Sequence, residues 1–242
     1  MKIISSVSAC VLLSALILSC KPDINTIKRI QSLEEGVQNP TTIEELTDAI
    51  KKYEGRADDL VTAETRIGSW YKILASKYLD QKMYGKALKS YQSAVEYYPT
   101  NQTLYFYIGL CAGYMAKASL DFEATGKTAE RDRYFALAES AYLRAIELNP
   151  GYARALYGLS VLYVFELNAP AKAIPYLVRV LDIEKKNFDA MFLLARADWA
   201  TGATDASVSM YDQIIKLSSD QAQKDNAEKN KALVLQNSYG KP

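Results

Sequence analysis

The chain has no histidine among its 242 residues. That removes histidine-based general acid–base catalysis and any triad built on an imidazole. Cysteine is almost as scarce, with three in the whole chain. Cys10 and Cys20 belong to the apolar start of the sequence, so Cys111 is the one thiol left for the folded part. A single thiol cannot form an internal disulfide, and no cysteine cluster exists for zinc. No basic residue lies close to Cys111 in sequence to lower its pKa, so it reads as a small core hydrophobe. Charge of one sign is also missing: 29 Lys+Arg face 28 Asp+Glu. A broad nucleic-acid-binding surface would need a basic excess. The carboxylate pairs Glu34-Glu35, Glu44-Glu45 and Asp58-Asp59 read as solvated or capping charge on helix surfaces. Gly126-Lys127-Thr128 imitates the end of a phosphate-binding loop, but Asp121 stands where the first glycine is needed, and no strand precedes it.

What the chain does have is ordinary for a globular protein: 49% hydrophobic and 24% charged residues. The exception is the first 20 residues. Lys2 supplies a short positive region, Ile3 to Ser19 is apolar or small, and the segment ends Leu16-Ile17-Leu18-Ser19-Cys20. That stretch is short for a membrane span and suits a signal peptide. A small residue directly before a cysteine resembles a bacterial lipobox. The resemblance implies cleavage before Cys20 and lipid, of palmitate type, on Cys20 itself. Loss of Lys2 then takes Lys+Arg from 29 to 28, against 28 Asp+Glu, and the mature net charge is zero.

The body of the chain carries a repeating pattern. Tyr71, Leu74, Ala75, Tyr78, Ala87, Tyr91, Ala94 and Pro99 follow one another at spacings of 3, 1, 3, 9, 4, 3 and 5. The first four positions put large and small residues on one face of a helix. The next three do so for a second helix, and proline ends the unit. A second unit opens at Gln102 with Tyr105, Ile108, Gly109 and Ala112. Its second helix carries Ala138, Tyr142, Ala145 and Pro150. A regular unit would place the first of these at 121 rather than 138, so 17 extra residues fall within about 114–133. The pattern predicts a first helix extended through Ala116, Ala118 and Leu120, then a polar loop around Gly126. A third unit, 153–187, has Leu156, Leu159, Ser160 and Tyr163, then Ala173, Leu177 and Val180, with one extra residue assigned to the turn containing Pro170. A weaker fourth unit, 188–221, has Met191, Leu194, Ala195, Ser207, Tyr211 and Ile214.

The flanks complete the organisation. Residues 1–19 read as the signal peptide and 20–40 as the lipidated cysteine and tether. Ile24, Ile27, Ile30 and Leu33 predict helix within that tether. Residues 41–67 read as N-terminal helices. Thr41 or Thr42 caps the first, with Glu44 or Glu45 completing a capping box, and Gly55 is expected to break it. Residues 68–221 hold the repeats. Residues 222–242 read as a charged helix that caps the last apolar face, followed by a loose tail.

Residues 68–221 resemble the tetratricopeptide repeat (TPR) family. The resemblance implies an all-α fold: a right-handed superhelix of about four stacked helix pairs, with capping helices at both ends. TPR proteins are typically binding scaffolds rather than enzymes, with no cofactor or metal. Small bacterial lipoproteins of this architecture resemble outer-membrane assembly factors and transporter-associated lipoproteins. The tyrosine content, 18 residues, and the signal are similar to those of spirochaete lipoproteins.

In the family the first helices line a groove. Carried onto this sequence, groove positions fall at Lys72, Ser76 and Leu79; at Thr103, Phe106, Leu110 and Tyr114; at Arg154, Tyr157, Val161 and Phe165; and at Asp189, Phe192, Arg196 and Trp199. The candidate binding strip is Phe106, Leu110, Tyr114, Arg154, Tyr157, Phe192, Arg196 and Trp199. Aromatics and arginine dominate binding energy at interfaces, yet tyrosine and phenylalanine at helical spacing also build cores. Both readings stand at this point. The family's carboxylate clamp is not expected, because Ser76 occupies its asparagine position.

The leading expectation is therefore a lipid-anchored scaffold in the bacterial cell envelope that binds a protein or peptide partner and no nucleic acid. Self-association is left open. Lys21 after Cys20 leans toward an outer-membrane anchor facing the periplasm. The alternative is a small-ligand-binding or transporter-accessory lipoprotein with an apolar aromatic groove.

Overall fold

A computed structural model describes residues 42–120 and 129–239. The expected signal peptide, Cys20, the tether, the loop around Gly126 and the last three residues lie outside the described residues. The chain divides into two compact units, Met1–Ala63 and Glu64–Pro242.

Thr42 opens helix α1, Ile43–Asp80. The Thr42 amide donates to Glu45 Oε2 at 3.0 Å, and the Glu45 amide donates back to Thr42 Oγ1 at 3.2 Å. Two otherwise unpaired amides of the first turn are thus satisfied reciprocally. The expected break at Gly55 does not occur; Gly55 sits inside α1. A lone exposed glycine costs a helix about 1 kcal/mol and removes no hydrogen bond. Without a proline or a competing cap nearby, that is too little to end it.

The second unit is a run of helix pairs. The last turns of α1 pair with α2, Tyr84–Tyr97. Next come α3, Gln102–Leu120, with α4, Ala129–Leu148. The third pair is α5, Ala153–Val161, continued by a π-helical turn, Leu162–Glu166, with α6, Pro170–Ile183. The fourth is α7, Phe188–Ala200, with α8, Thr204–Leu217. Helix α9, Gln221–Tyr239, closes the stack. From α2 onward each helix packs on the next, and the first helices of neighbouring pairs also touch, α3 on α5 and α5 on α7. This is the all-α stack that the spacing predicts. Among the described residues no helix is long and apolar enough to cross a membrane.

The spacing works because the small positions are where helices meet. Ala75, Ala87, Ala94, Ala138, Ala145 and Ala173 are fully buried. Beside them sit large rings. The ring of Tyr142 on α4 fills the gap between α3 and α5, so tightly that a Cβ at Gly109 would lie 2.8 Å from it and one at Gly158 2.9 Å. Glycine at these two positions is a matter of space rather than backbone freedom.

The turns inside the first, third and fourth pairs share one construction. A residue with positive φ, Lys82 (58°), Asn168 (47°) or Gly202 (85°), reverses the chain. The next amide then bonds back to the first helix: Met83 to Tyr78 O, Ala169 to Tyr163 O and Ala203 to Asp198 O, each at 2.8 Å. The middle closure spans one residue more than the other two. That residue is absorbed in the π-helical turn, where the Leu167 amide reaches Leu162 O at 3.0 Å. The extra residue of the third repeat therefore sits in its first helix, not in the turn containing Pro170. In the second repeat, α3 runs to Leu120 and α4 starts at Ala129, so much of the added length is helix on both sides of residues 121–128.

The last helix covers the end of the stack through Ala227 and Val234, which share a cluster with Met191, Tyr211 and Ile214. Lys231 Nζ bridges to Asp212 Oδ1 at 2.6 Å across the α8–α9 contact.

Candidate functional site

A cleft of about 500 Å³ opens between the first helices of the third and fourth pairs and α9. Helix α5 and its π-turn contribute Tyr157 and Phe165. Helix α7 contributes Asp189, Phe192, Arg196 and Trp199, and Tyr211 of α8 lies at the floor. The spacing on α7 explains this: residues 189, 192, 196 and 199 recur every three or four residues, which keeps them on one face.

Four of the candidate residues, Tyr157, Phe192, Arg196 and Trp199, thus come together on one surface. The cleft is also open. Phe165 is 52% exposed and Trp199 39%. The Arg196 guanidinium lies 4.9 Å from the centre of the Phe165 ring. Such stacking fixes the plane of the guanidinium and leaves its N–H edge available. Arg196 makes no ion pair among the described residues. Phe192 packs against Tyr211 at 6.1 Å. Burial pushes the Tyr211 phenol above its usual pKa, while Arg196 pulls the other way. Burial, reinforced by the Asp189 carboxylate, likewise raises Tyr157. Both phenols are neutral donors and acceptors at neutral pH.

The other candidates fall elsewhere. Phe106 is 7% exposed and belongs to the core, in contact with Tyr142 at 6.0 Å and Tyr152 at 5.8 Å. Its place in the open groove is corrected: the ring is turned into the gap beneath α5. Arg154 is exposed and covers that ring, 4.4 Å from its centre and 5.4 Å from that of Tyr107. It shields the core edge rather than joining the cleft. Leu110 and Tyr114 line a second, smaller hollow of about 140 Å³ with Phe135 and Tyr142. A Lys117–Glu166 ion pair at 2.6 Å stands among its lining residues, and Tyr114 stacks on Tyr84 at 4.3 Å. The eight-residue strip is thus three separate places. Lys72, the one clamp-like residue, sits over Tyr98 at 5.1 Å, and Ser76 Oγ lies 3.2 Å from the Tyr91 hydroxyl.

Sequence reasoning missed the wall of the cleft given by α9. Asn226, Asn230, Leu233, Val234 and Asn237 line it, and Leu233 is 46% exposed. The signal was present as asparagine at 226, 230 and 237, one helical face, in a segment read only as a solvated cap.

This stack of helix pairs with an open, aromatic cleft is the architecture of a repeat scaffold, and the comparisons agree. Two tetratricopeptide repeat family models match, over residues 124–183 and 164–225. A TPR repeat-containing protein of Borreliella burgdorferi is 24% identical over 224 residues, covering 90% of this chain and 95% of that protein. Among solved structures, YrrB, a TPR protein with an unusual peptide-binding site, aligns over 70% of this chain and 77% of its own with 19% identity and a TM-score of 0.55. A thermophilic TPR protein of Thermus thermophilus aligns over 86% of this chain and 98% of its own, with 16% identity and a TM-score of 0.54. MamA aligns over 81% and 99%, with 19% identity and a TM-score of 0.52. At these identities the structural likeness is one of fold. Residues 124–225 thus match tetratricopeptide repeats, and the stack as a whole has the fold of TPR proteins.

Proposed function

We propose that this protein is a non-enzymatic interaction scaffold of the bacterial cell envelope, lipid-anchored through Cys20, that binds a protein partner in the C-terminal cleft. The observation that carries the partner site is the convergence of Tyr157, Phe165, Phe192, Arg196 and Trp199 on one open surface. Aromatics and arginine held on rigid helices are the groups that carry most binding energy at interfaces. Monomeric proteins rarely leave such groups open without use. The anchor rests on the ordered signal that ends Ser19-Cys20. A single acyl chain gives only marginal anchoring, so stable attachment uses more than one. Lys21 after the cysteine favours an outer-membrane location facing the periplasm.

A second reading takes the cleft as a small-molecule site, as in a transporter accessory. Its volume of about 500 Å³ falls in the range of ligand pockets. Affinity capture from detergent-solubilised cells with the wild-type chain and with Trp199→Ala separates the two. Protein partners that depend on Trp199 support the scaffold. A co-purified small apolar molecule that depends on Trp199 supports the carrier. Cys20→Ala should lose its acyl label and its detergent-phase partitioning; equal labelling of both forms would remove the anchor.

A further inference from the structure

The smaller hollow contains a polar group that no other part of the protein uses. The hydroxyls of Tyr91, Tyr98, Tyr105 and Tyr163 each find a partner. That of Tyr142 makes no hydrogen bond among the described residues, although its side chain is buried in the core and only 5% exposed. Its oxygen lies beside Gly158, where a Cβ would be 3.2 Å away, and Gly158 and Tyr142 both line the hollow. Burial raises the phenol above its usual pKa, so the group stays a protonated donor at neutral pH. A buried donor with no partner is costly, and proteins keep few of them.

Most of the remaining lining is apolar, with Leu110, Phe135, Val161 and Leu162. Gly113 leaves one wall bare, with nothing within 4 Å of its Cβ position. At the open side Lys117, 54% exposed, pairs with Glu166, 17% exposed. A regular helix pair does not supply this lysine. Matched through Tyr71 and Tyr105, Lys117 stands where the first pair has Met83, which lies past the end of α1. The added length of α3 keeps Lys117 helical and within reach of the π-turn that carries Glu166. The lengthened second pair thereby builds the rim of this hollow.

We infer that the hollow is a binding site for a small neutral molecule of one aromatic ring, carrying a single oxygen or nitrogen that hydrogen-bonds the Tyr142 hydroxyl. Volume sets the size. The hollow holds about 140 Å³, and an apolar cavity of about 150 Å³ takes one benzene-sized molecule. The lining sets the polarity. A charged ligand would lose its hydration with one hydroxyl to replace it, and Lys117 is already neutralised by Glu166. A wholly apolar ligand would leave the hydroxyl without a partner. A ring with one polar atom meets both conditions. This site is separate from the large cleft and works whether or not a partner binds there. Helix α5 stands between them, with Tyr157 on the cleft and Gly158 on the hollow.

The test is calorimetric titration of the full chain with p-cresol, toluene and 4-methylbenzoate. p-Cresol should bind at one site, about fivefold to tenfold more tightly than toluene, which is the contribution of one hydrogen bond. 4-Methylbenzoate should bind more weakly than p-cresol. Tyr142→Phe should bring p-cresol down to the affinity of toluene, while the melting temperature holds or rises because the hydroxyl has no partner to lose. Gly113→Leu should fill the hollow and abolish binding of all three. Trp199→Ala, in the large cleft, should leave binding unchanged. Where Gly113→Leu does not fold, Tyr142→Phe decides alone: equal p-cresol affinity in that variant and the wild type overturns the inference. So does the absence of saturable p-cresol binding, binding lost with Trp199→Ala, or a preference for 4-methylbenzoate.

Discussion

The ring of Tyr142 occupies the space into which a side chain at Gly158 would have to fit: a Cβ there would lie 2.9 Å from the ring. One tyrosine, on the second helix of its pair, thereby sets how closely the next pair can approach. The contact joins the second helix pair to the third.

Gly158→Ala is therefore expected to destabilise the protein by about 1–3 kcal/mol, the usual cost of overpacking. Gly113→Ala on α3 is the control, because nothing lies within 4 Å of its Cβ position. It should be neutral or stabilise by up to about 1 kcal/mol through helix propensity. Chemical denaturation of both variants checks this. Equal effects would mean the close approach at Gly158 is wrong.

Cys111 is fully buried, and burial pushes its thiol up to about 12. Thiolate is the reactive form, so at pH 8 the native thiol should resist iodoacetamide and react only after unfolding. Rapid alkylation of the native protein would contradict its place in the core.

Asp198 is 8% exposed, and burial raises its pKa above the ordinary 3.8. The folded state thus binds this proton more tightly than the unfolded state. Its effect is a penalty present above the raised pKa and relieved as pH falls toward 3.8. Asp198→Asn should melt higher than wild type at pH 7, and the difference should shrink as pH is lowered toward 4. Melting curves at several pH values check the sign; a difference that grows on acidification would contradict it.

The helix pairs were legible because each rests on a few positions where size alone decides packing. Ala75, Tyr78, Ala87, Tyr91 and Ala94 announce one pair, and their offsets are fixed by helix geometry. The groove was only half legible. Phe106 and Phe192 occupy like positions in their first helices, yet one ring turns into the core and the other onto an open surface. Which happens depends on what packs above, here Arg154 and α5 in one case and the cleft in the other. Helix α9 was legible as a cap through its charge, but its place as a wall of the cleft shows only once the facing helices are known. Gly55 and the π-turn failed for a common reason: each is a local cost that its helix absorbs, and spacing carries no information about cost.

The central claim, that the C-terminal cleft binds a protein partner, is tested most directly by measuring melting temperature and partner affinity on the same variants, Trp199→Ala and Arg196→Ala. The partner is the protein captured by the wild-type chain. Because Trp199 and Arg196 are exposed at the cleft, both variants should melt close to wild type. Affinity should fall by a hot-spot amount, roughly 2 kcal/mol or more. A lowered melting temperature with normal binding by the folded fraction would contradict the account and return both side chains to the role of packing.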